Sequence, residues 1–407
     1  MVQKTQQFMF DLPNLVGEDF AEHNKESSHI WEVFKNRSHK RVPIRLNSNP
    51  RMLMLDPHYN TRGITYEEYM TDPDVMAQAI LEWQYWTRFL LPGDHEKGLP
   101  RHWAMGIDFE NHYDAAWFGC PIHYRDWQVP DHEPILRDGN KRMLFDRGIP
   151  DPFGGEWAER ALQFYEHYEK KRKKGWMFLG VPVAPPDVPT ADPDIPPFEN
   201  CDGLFTIAAC LRGPTGLCMD LATDPDYVRE LLEYVWIAVT MRMKAWRARF
   251  GKPIRQDDYL IGDDSIQLIS TEMYREFVLP IHRKLYAEFA TEKNRGIHLC
   301  GNAQRHFVTI RDELGVSNFD TGFPVDFGRL RHDLGPDVLV SGGPRINFFL
   351  EDDSGPIIKE VERILSSGIL EGGRFILQEG NNLPPTARLK VCRDFYEVGK
   401  RFGRILS

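Results

Sequence analysis

The feature that most limits how this chain can fold is the alternation of short apolar runs and longer amphipathic segments in its C-terminal half. A segment with helical periodicity follows each of five runs of strand length, at residues 259–264, 296–301, 317–321, 338–343 and 375–380. Such alternation predicts a parallel sheet with helices packed outside it. Polar and glycine residues cluster where the five runs end, as they do at the active face of an α/β barrel.

The N-terminal half supplies three further predicted strands, at residues 42–47, 102–107 and 204–209. With the five strands above they make up the eight of a closed barrel. Residues 182–197 contain too many prolines for a helix or an inner strand and predict a long loop over one barrel end, with a domain linker as the alternative. We therefore predict an α/β protein with a single (β/α)8 TIM-barrel domain over residues 1–407, preceded within it by an irregular N-terminal extension, residues 1–40.

Charge and hydropathy exclude several classes of partner. The net charge is −10, the isoelectric point is near 5.8, and no long run of lysine and arginine occurs, which argues against nucleic-acid binding. No apolar run approaches the ~18 residues of a membrane span, and the N-terminus lacks the apolar core of a signal peptide. The six cysteines are scattered without a CxxC pair, as expected in a reducing compartment. We predict a cytoplasmic protein that binds neither nucleic acid nor membranes.

The stretch GIHLCG, residues 296–301, places a histidine and a cysteine two positions apart at the end of a predicted strand. Residues two apart on a strand point to the same face, so His298 and Cys300 point together just before Gly301 turns the chain. Imidazole and thiolate begin a zinc site, and catalytic zinc needs three protein ligands and one open position. A buried histidine with one satisfied hydrogen bond beside a small apolar cysteine is the alternative.

Oxygen ligands are available at other predicted strand ends. They are Asp263 and Asp264 after YLIG, Glu379 at the end of FILQEG, and Asn381 and Asn382 just beyond it. Two acids at the end of an apolar strand are costly to bury unless they are paired or bound to metal. Loop solubility and helix capping are the alternative roles for a single acid. The residues themselves therefore leave the third ligand open.

An aromatic-rich stretch covers residues 103–118. It contains four side chains that we predict to wall a pocket for a flat apolar substrate, namely Trp103, His112, Tyr113 and Trp117. Arg345 follows two glycines and a proline and is a candidate contact for a substrate anion. Core packing and an ordinary surface arginine are the respective alternatives.

Three segments of the C-terminal half act together as a family signature. They read IGDDSIQLISTEMYREFVLPIHRKL, IHLCGNAQRHF and GGRFILQEGNNLPPTARLKVC. From about Leu204 onward the chain resembles the uroporphyrinogen decarboxylase superfamily, which implies a single TIM barrel. Two departures argue against porphyrinogen decarboxylation. The Arg-Gln-Ala-Gly-Arg type of segment is missing after the first strand, and Asn381 stands where such decarboxylases have the histidine of a Gly-His-Gly.

The chain is more similar to the corrinoid-dependent methyltransferases of that superfamily, including O-demethylases. The resemblance implies zinc held by His298 and Cys300. Because Asn381 occupies the position of the family's later cysteine, we predict Glu379 as the third ligand, with Asp263 as the next choice. Asp263 and Asn381 are the predicted catalytic residues. The implied function is zinc-dependent transfer of a methyl group from a small donor, which we predict to be a methoxylated aromatic, to a corrinoid (cobalamin) carried by a partner protein.

Two other functions fit parts of the sequence. A metal-independent decarboxylase or other lyase, acting on a carboxylated substrate, would use arginines at the barrel mouth, namely Arg45, Arg51 and Arg345. A non-catalytic corrinoid- or tetrapyrrole-binding protein would bind a tetrapyrrole tightly without turnover.

Overall fold

A five-stranded parallel sheet forms the centre of the fold. A computed structural model describes residues 8–183 and 197–405. Two short antiparallel pairs come first along the chain: β1 (Ile122–His123) with β2 (Asp131–His132), and β3 (Met177–Phe178) with β4 (Val181–Pro182). The strands of the parallel sheet are hydrogen-bonded in chain order: β5 (Leu260–Gly262), β6 (Gly296–Leu299), β7 (Asn318–Thr321), β8 (Leu339–Gly342) and β9 (Phe375–Leu377).

Helices surround the sheet. Those before the sheet are α1 (Ala21–Lys35), α2 (Arg51–Met54), α3 (Tyr66–Thr71), α4 (Pro73–Leu90), α5 (Tyr113–Trp117), α6 (Met143–Arg147), α7 (Glu156–Lys173), α8 (Leu204–Arg212), α9 (Pro214–Thr223) and α10 (Pro225–Arg249). Those that follow β5 are α11 (Thr271–Met273), α12 (Leu279–Phe289), α13 (Phe307–Leu314), α14 (Phe327–Leu334), α15 (Gly355–Leu365) and α16 (Leu389–Phe402). Short 3-10 turns occupy Glu110–His112, Asp138–Asn140, Pro197–Glu199, Asp264–Leu268, Gln304–His306, Ile346–Leu350 and Glu371–Gly373.

The predicted alternation of strand and helix in the C-terminal half is confirmed. All five predicted strands form, and each is followed by helix. α11 begins directly after Ser270, whose Oγ accepts a hydrogen bond from the Met273 N–H (3.2 Å). A π-helical segment, Tyr274–Val278, separates α11 from α12. Pro280 lies in the first turn of α12, where its missing N–H is tolerated.

The strand predicted at residues 204–209 is wrong, because this segment begins α8. A short apolar run does not by itself distinguish a strand from a buried helix. Gly203 turns the chain with a φ of +78° just before the helix. The carboxylate of Asp263 then accepts hydrogen bonds from the backbone N–H groups of Phe205 (3.1 Å) and Thr206 (2.8 Å). An acceptor at this point satisfies N–H groups that have no partner within the helix.

The other two predicted N-terminal strands are represented by single bridges. Ile44 forms a parallel bridge with Leu377, so residues 42–47 extend the sheet at its β9 edge. Trp103 forms a parallel bridge with Val183, beyond the end of β4. The sheet of the described residues therefore has five strands and one added bridge, where the sequence predicts eight strands.

Outside the sheet, the described part of the predicted N-terminal extension contains α1, and so is helical over residues 21–35. The proline-rich loop predicted at residues 182–197 lies outside the described residues except at its two ends, and Pro182 belongs to β4. None of the described helices is long and apolar enough to cross a membrane.

A buried ion pair joins α5 to α10. Arg242 Nη2 lies 2.5 Å from Asp114 Oδ1, and the two side chains are 0% and 3% exposed. The same nitrogen donates to the backbone oxygen of Asn200 (2.9 Å), and the guanidinium stacks 4.8 Å from the ring of Trp117. The other carboxylate oxygen of Asp114 accepts the backbone N–H of Asp202 (2.8 Å). The ion pair therefore holds the segment that leads into α8.

We expect the buried His306 to make the fold sensitive to acid. Burial, followed by the charge of Arg305, lowers the pKa of this fully buried imidazole to about 4. An unfolded histidine titrates near 6.5, so the stability due to the neutral form is present above that pH and is lost as the pH falls toward 4. Denaturant titrations at pH 7 and pH 4 should show that the wild-type free energy of unfolding falls by about 3 kcal/mol more than that of His306→Gln. Equal losses in the two proteins would contradict this.

Candidate metal centre

The candidate site lies where β5, β6 and β7 end. Gly262, His298 and Asp320 are register partners on these neighbouring parallel strands, so they share one face of the sheet. Gly262 has no side chain, which leaves space on that face next to His298. Cys300 lies just beyond the end of β6, and Asp264 begins the 3-10 turn that follows β5.

Three potential metal ligands converge at this point. A carboxylate oxygen of Asp264, a ring nitrogen of His298 and the Sγ of Cys300 all lie within 4.8 Å of one another. The backbone N–H of Cys300 donates to Asp264 Oδ1 (2.7 Å) and ties the two turns together. All three side chains are half-buried, which screens them from bulk water without sealing the site.

A chain of hydrogen bonds fixes the imidazole of His298. Its Nδ1 lies 2.9 Å from Asp320 Oδ2. Gln378 Nε2 donates to the other oxygen of Asp320 (2.5 Å), and Arg45 Nε donates to Gln378 Oε1 (2.7 Å). When a carboxylate accepts the Nδ1–H of a histidine, Nε2 is left to bind a metal, as is usual for metal-bound histidines.

The surroundings of His298 favour a positive charge. Burial lowers its pKa, but the hydrogen bonds to Asp320 and Cys300 and the charges of Asp320 and Asp264 raise it, and the result is a pKa of about 11. Burial raises the pKa of the Cys300 thiol above its usual value, and the hydrogen bond from His298 opposes that rise. A divalent cation bound here would supply the positive charge that these groups favour.

The donor set fits zinc. Zinc binds cysteine sulfur, histidine nitrogen and carboxylate oxygen, and its catalytic sites combine three protein ligands with one open position. The cluster of Asp264, His298 and Cys300 offers one donor of each kind. A thiolate argues against Mg²⁺ and Ca²⁺, which take oxygen ligands.

Glu379, the predicted third ligand, does not belong to this cluster. Its buried carboxylate accepts hydrogen bonds from the backbone N–H (3.1 Å) and the side-chain amide (2.8 Å) of Asn47. Burial raises the pKa of Glu379 to about 8. Asn381 follows closely, and its side-chain oxygen accepts the next backbone N–H. The carboxylate that lies beside the histidine and the cysteine belongs to Asp264.

Asp263 is fully buried and is not one of the three clustered ligands. Besides the two N–H groups at the start of α8, its oxygens accept the Thr206 Oγ1 hydroxyl (2.8 Å) and lie 2.9 Å from His282 Nε2. Four hydrogen bonds occupy this carboxylate, so its geometry suits the anchoring of α8 and α12. A catalytic part for Asp263 stays a prediction.

Most of the residues predicted to bind substrate make packing contacts and hydrogen bonds within the protein. Trp103 and Trp117 are buried and donate their indole N–H groups to backbone carbonyls. Tyr113 packs edge-on against a buried ring, and His112 lies 3.3 Å from a second histidine, Nδ1 to Nδ1. Arg345 is exposed. None of these contacts reaches the metal cluster, and a part for these residues in substrate binding stays a prediction.

Sequence reasoning misses two acids at the site. Asp320 orients His298, and its signal is a lone charge within the predicted strand SNFDT. Asp202 lies against the end of β5, where its Oδ1 would be 3.8 Å from a Cβ on Gly262. The sequence does not reveal Asp202, because residues 204–209 are predicted as a strand and Asp202 therefore precedes a predicted strand instead of following one.

Comparisons with known proteins identify one matching family and two similar methyltransferases. The family model described as uroporphyrinogen decarboxylase (URO-D) matches residues 190–402, just over half of the chain. A curated relative, the methylated-thiol–coenzyme M methyltransferase of Methanosarcina mazei, is 30% identical over 242 residues, which cover 59% of this chain and 57% of that protein. A solved structure of a methyltransferase from Methanosarcina mazei has a TM-score of 0.58 at 16% identity, covers 92% of this chain and 98% of its own, and shows likeness of fold.

Proposed function

This chain belongs to the uroporphyrinogen decarboxylase (URO-D) family, and from that premise we propose that it is a zinc-dependent methyltransferase. It moves a methyl group from a small methylated substrate, in our proposal a methoxylated aromatic, to the corrinoid of a partner protein. The observation that carries the proposal is the convergence of Asp264, His298 and Cys300 at the strand ends. The curated relative, named as a methyltransferase, supports the type of reaction.

The side chains of the site have distinct parts in this proposal. Asp264, His298 and Cys300 hold the zinc ion, and the chemistry that zinc supplies when bound is Lewis acidity at the heteroatom of the methyl donor. Asp320 keeps the Nδ1 proton of His298 and so directs Nε2 toward the metal. Arg45 and Gln378 hold Asp320 in turn.

The arginines that a metal-independent decarboxylase would need are largely occupied. Arg51 is ion-paired with the buried Glu110, and Arg45 donates to Gln378. Arg345 is exposed. Free arginines gathered at one point would favour a lyase, so their dispersal supports the methyltransferase.

The proposal extends to the fold around the site, the docking of the partner and the compartment. The five parallel strands and residues 42–47 belong to a closed (β/α)8 barrel within one domain, residues 1–407. The bridge between Ile44 and Leu377, which joins the first strand segment to the last strand, supports this closure. The corrinoid protein docks at the strand ends, and the six free cysteines suit the cytoplasm.

Metal analysis followed by a methyl-transfer assay tests the proposal. We expect about one zinc ion per chain and methylation of cob(I)alamin from 2-methoxyphenol. Methanol, trimethylamine and methanethiol-derived thioethers serve as competing donors. Transfer from one of these but from no methoxyarene would replace the substrate class and keep the reaction. Protein without metal that releases CO₂ from a carboxylated substrate would indicate the lyase, and tight tetrapyrrole binding without transfer would indicate a binding protein.

A further inference from the structure

The carboxylate of Asp202 accepts no hydrogen bond from residues 8–183 and 197–405. Its backbone N–H is bonded to Asp114, but its two side-chain oxygens have no donor in that part of the chain. Of the neighbouring acids, Asp114 pairs with Arg242, Asp263 with His282 and Asp320 with His298, and Asp264 accepts the backbone N–H of Cys300. Asp202 is thus the acid beside the site whose two side-chain oxygens accept no hydrogen bond from the described residues.

Asp202 stands beside the metal cluster. Its neighbour Gly203 is pressed against the end of β5, since a Cβ there would lie 2.0 Å from the carbonyl oxygen of Gly262. A Cβ on Gly262 would lie 3.8 Å from Asp202 Oδ1. Because Gly262 is the register partner of His298 on the same sheet face, the Asp202 carboxylate fills the place next to the imidazole that no β5 side chain occupies.

A carboxylate in this position is available to a hydrogen-bond donor from outside the chain. The side chain is half-buried, so a molecule that enters the site can reach its oxygens. A ligand that brings an O–H or N–H group to this point supplies the hydrogen bond that the described residues do not give this carboxylate.

We propose that Asp202 accepts a hydrogen bond from the methyl donor, so that the site selects donors with a hydroxyl or ammonium group next to the methylated heteroatom. The inference rests on the proposed function, because it takes the cluster of Asp264, His298 and Cys300 as the place where the heteroatom binds. A site built to bond a substrate O–H rejects the analogue that lacks it, since the site's polar group is then left unpaired. An ortho-methoxyphenol and a 2-methoxyalkylammonium ion both have the required arrangement.

Binding to the zinc-loaded protein tests this without turnover. The pair 2-methoxyphenol and 1,2-dimethoxybenzene reports on a hydroxyl, and the pair 2-methoxyethylammonium and 1,2-dimethoxyethane reports on an ammonium group. In isothermal titration calorimetry, the donor-bearing member of one pair should bind about 10- to 100-fold more tightly than its partner. The pair that responds identifies the kind of donor.

Three variants complete the test. Asp202→Ala should remove the discrimination by weakening only the donor-bearing ligand, and Asp202→Asn, which keeps the shape and one acceptor oxygen, should retain part of it for the hydroxyl. Asp312→Ala, which removes an exposed acid of α13, is the control and should bind as wild type does. Equal binding within both pairs, or no binding by any probe, in protein that holds zinc overturns the role of Asp202. Loss of zinc from both Asp202 variants overturns it too, whereas wild-type protein without zinc overturns the proposed function.

Discussion

Replacement of Cys300 by serine is expected to lower the zinc content of the purified protein from about one ion per chain to near zero. A serine hydroxyl stays protonated at neutral pH and is a poor substitute for a thiolate, so Asp264 and His298 remain as the cluster's ligands. Groups that merely orient a metal ligand contribute 10- to 100-fold to affinity, so loss of a ligand should cost more than about 100-fold. Mass spectrometry of the metal after dialysis, and titration against a chelator, measure both quantities.

Two other variants make that result specific. Cys218→Ser removes a thiol of α9 that is not part of the cluster, and it should keep its zinc. Asp320→Asn leaves the three ligands in place but removes the acceptor for His298 Nδ1–H, and it should weaken zinc binding by about 10- to 100-fold. Wild-type zinc affinity in Cys300→Ser would show that the metal, if present, is held elsewhere.

Loss of the buried cation of Arg242 is expected to destabilise the fold strongly. Arg242→Met leaves the Asp114 carboxylate buried without its partner, which typically costs about 3–5 kcal/mol. The pair itself is incompletely satisfied, because Nε and Nη1 of Arg242 have no hydrogen-bond partner. The double variant Asp114→Asn/Arg242→Met removes both charges and should recover most of the loss. Urea unfolding of the two single variants and the double variant gives the coupling energy.

An exposed ion pair on the same helix provides the matched control. Lys244 Nζ lies 2.6 Å from Glu288 Oε1, and the two side chains are 43% and 34% exposed. Lys244→Met should therefore change the free energy of unfolding by less than about 1 kcal/mol. Equal effects at Arg242 and Lys244 would contradict the argument from burial.

The parallel strands are predictable because each is a short apolar run that ends near a glycine or an acid. A segment with clear helical periodicity follows each of them. The start of α8 is not predictable, since its apolar residues face the core on most sides and have no strand-like alternation. Its acceptor, Asp263, lies far along the chain. The local sequence pattern therefore cannot reveal that Asp263, which follows β5, accepts hydrogen bonds from the first N–H groups of α8, which precedes β5.

The candidate site is predictable to the same extent. The two-residue period of a strand brings His298 and Cys300 together, and this follows from sequence alone. The choice between consecutive acids does not, because the turn after β5 sends Asp263 toward α8 and Asp264 toward the cysteine. Glu379 has the right chemistry at a strand end, but Asn47 occupies it, and Asn47 comes from the opposite end of the sequence.

The hydrogen-bond chain behind His298 sets an order of events during synthesis on the ribosome. The three metal donors lie between residues 264 and 300, but Asp320 and Gln378, which orient the histidine, are translated later. A nascent chain that has emerged only as far as Cys300 contains all three proposed ligands but lacks the residues that orient His298. In the proposed zinc site, the histidine is therefore fully oriented only after the last strand has been translated, and we expect an unfinished chain to bind zinc more weakly than the complete one.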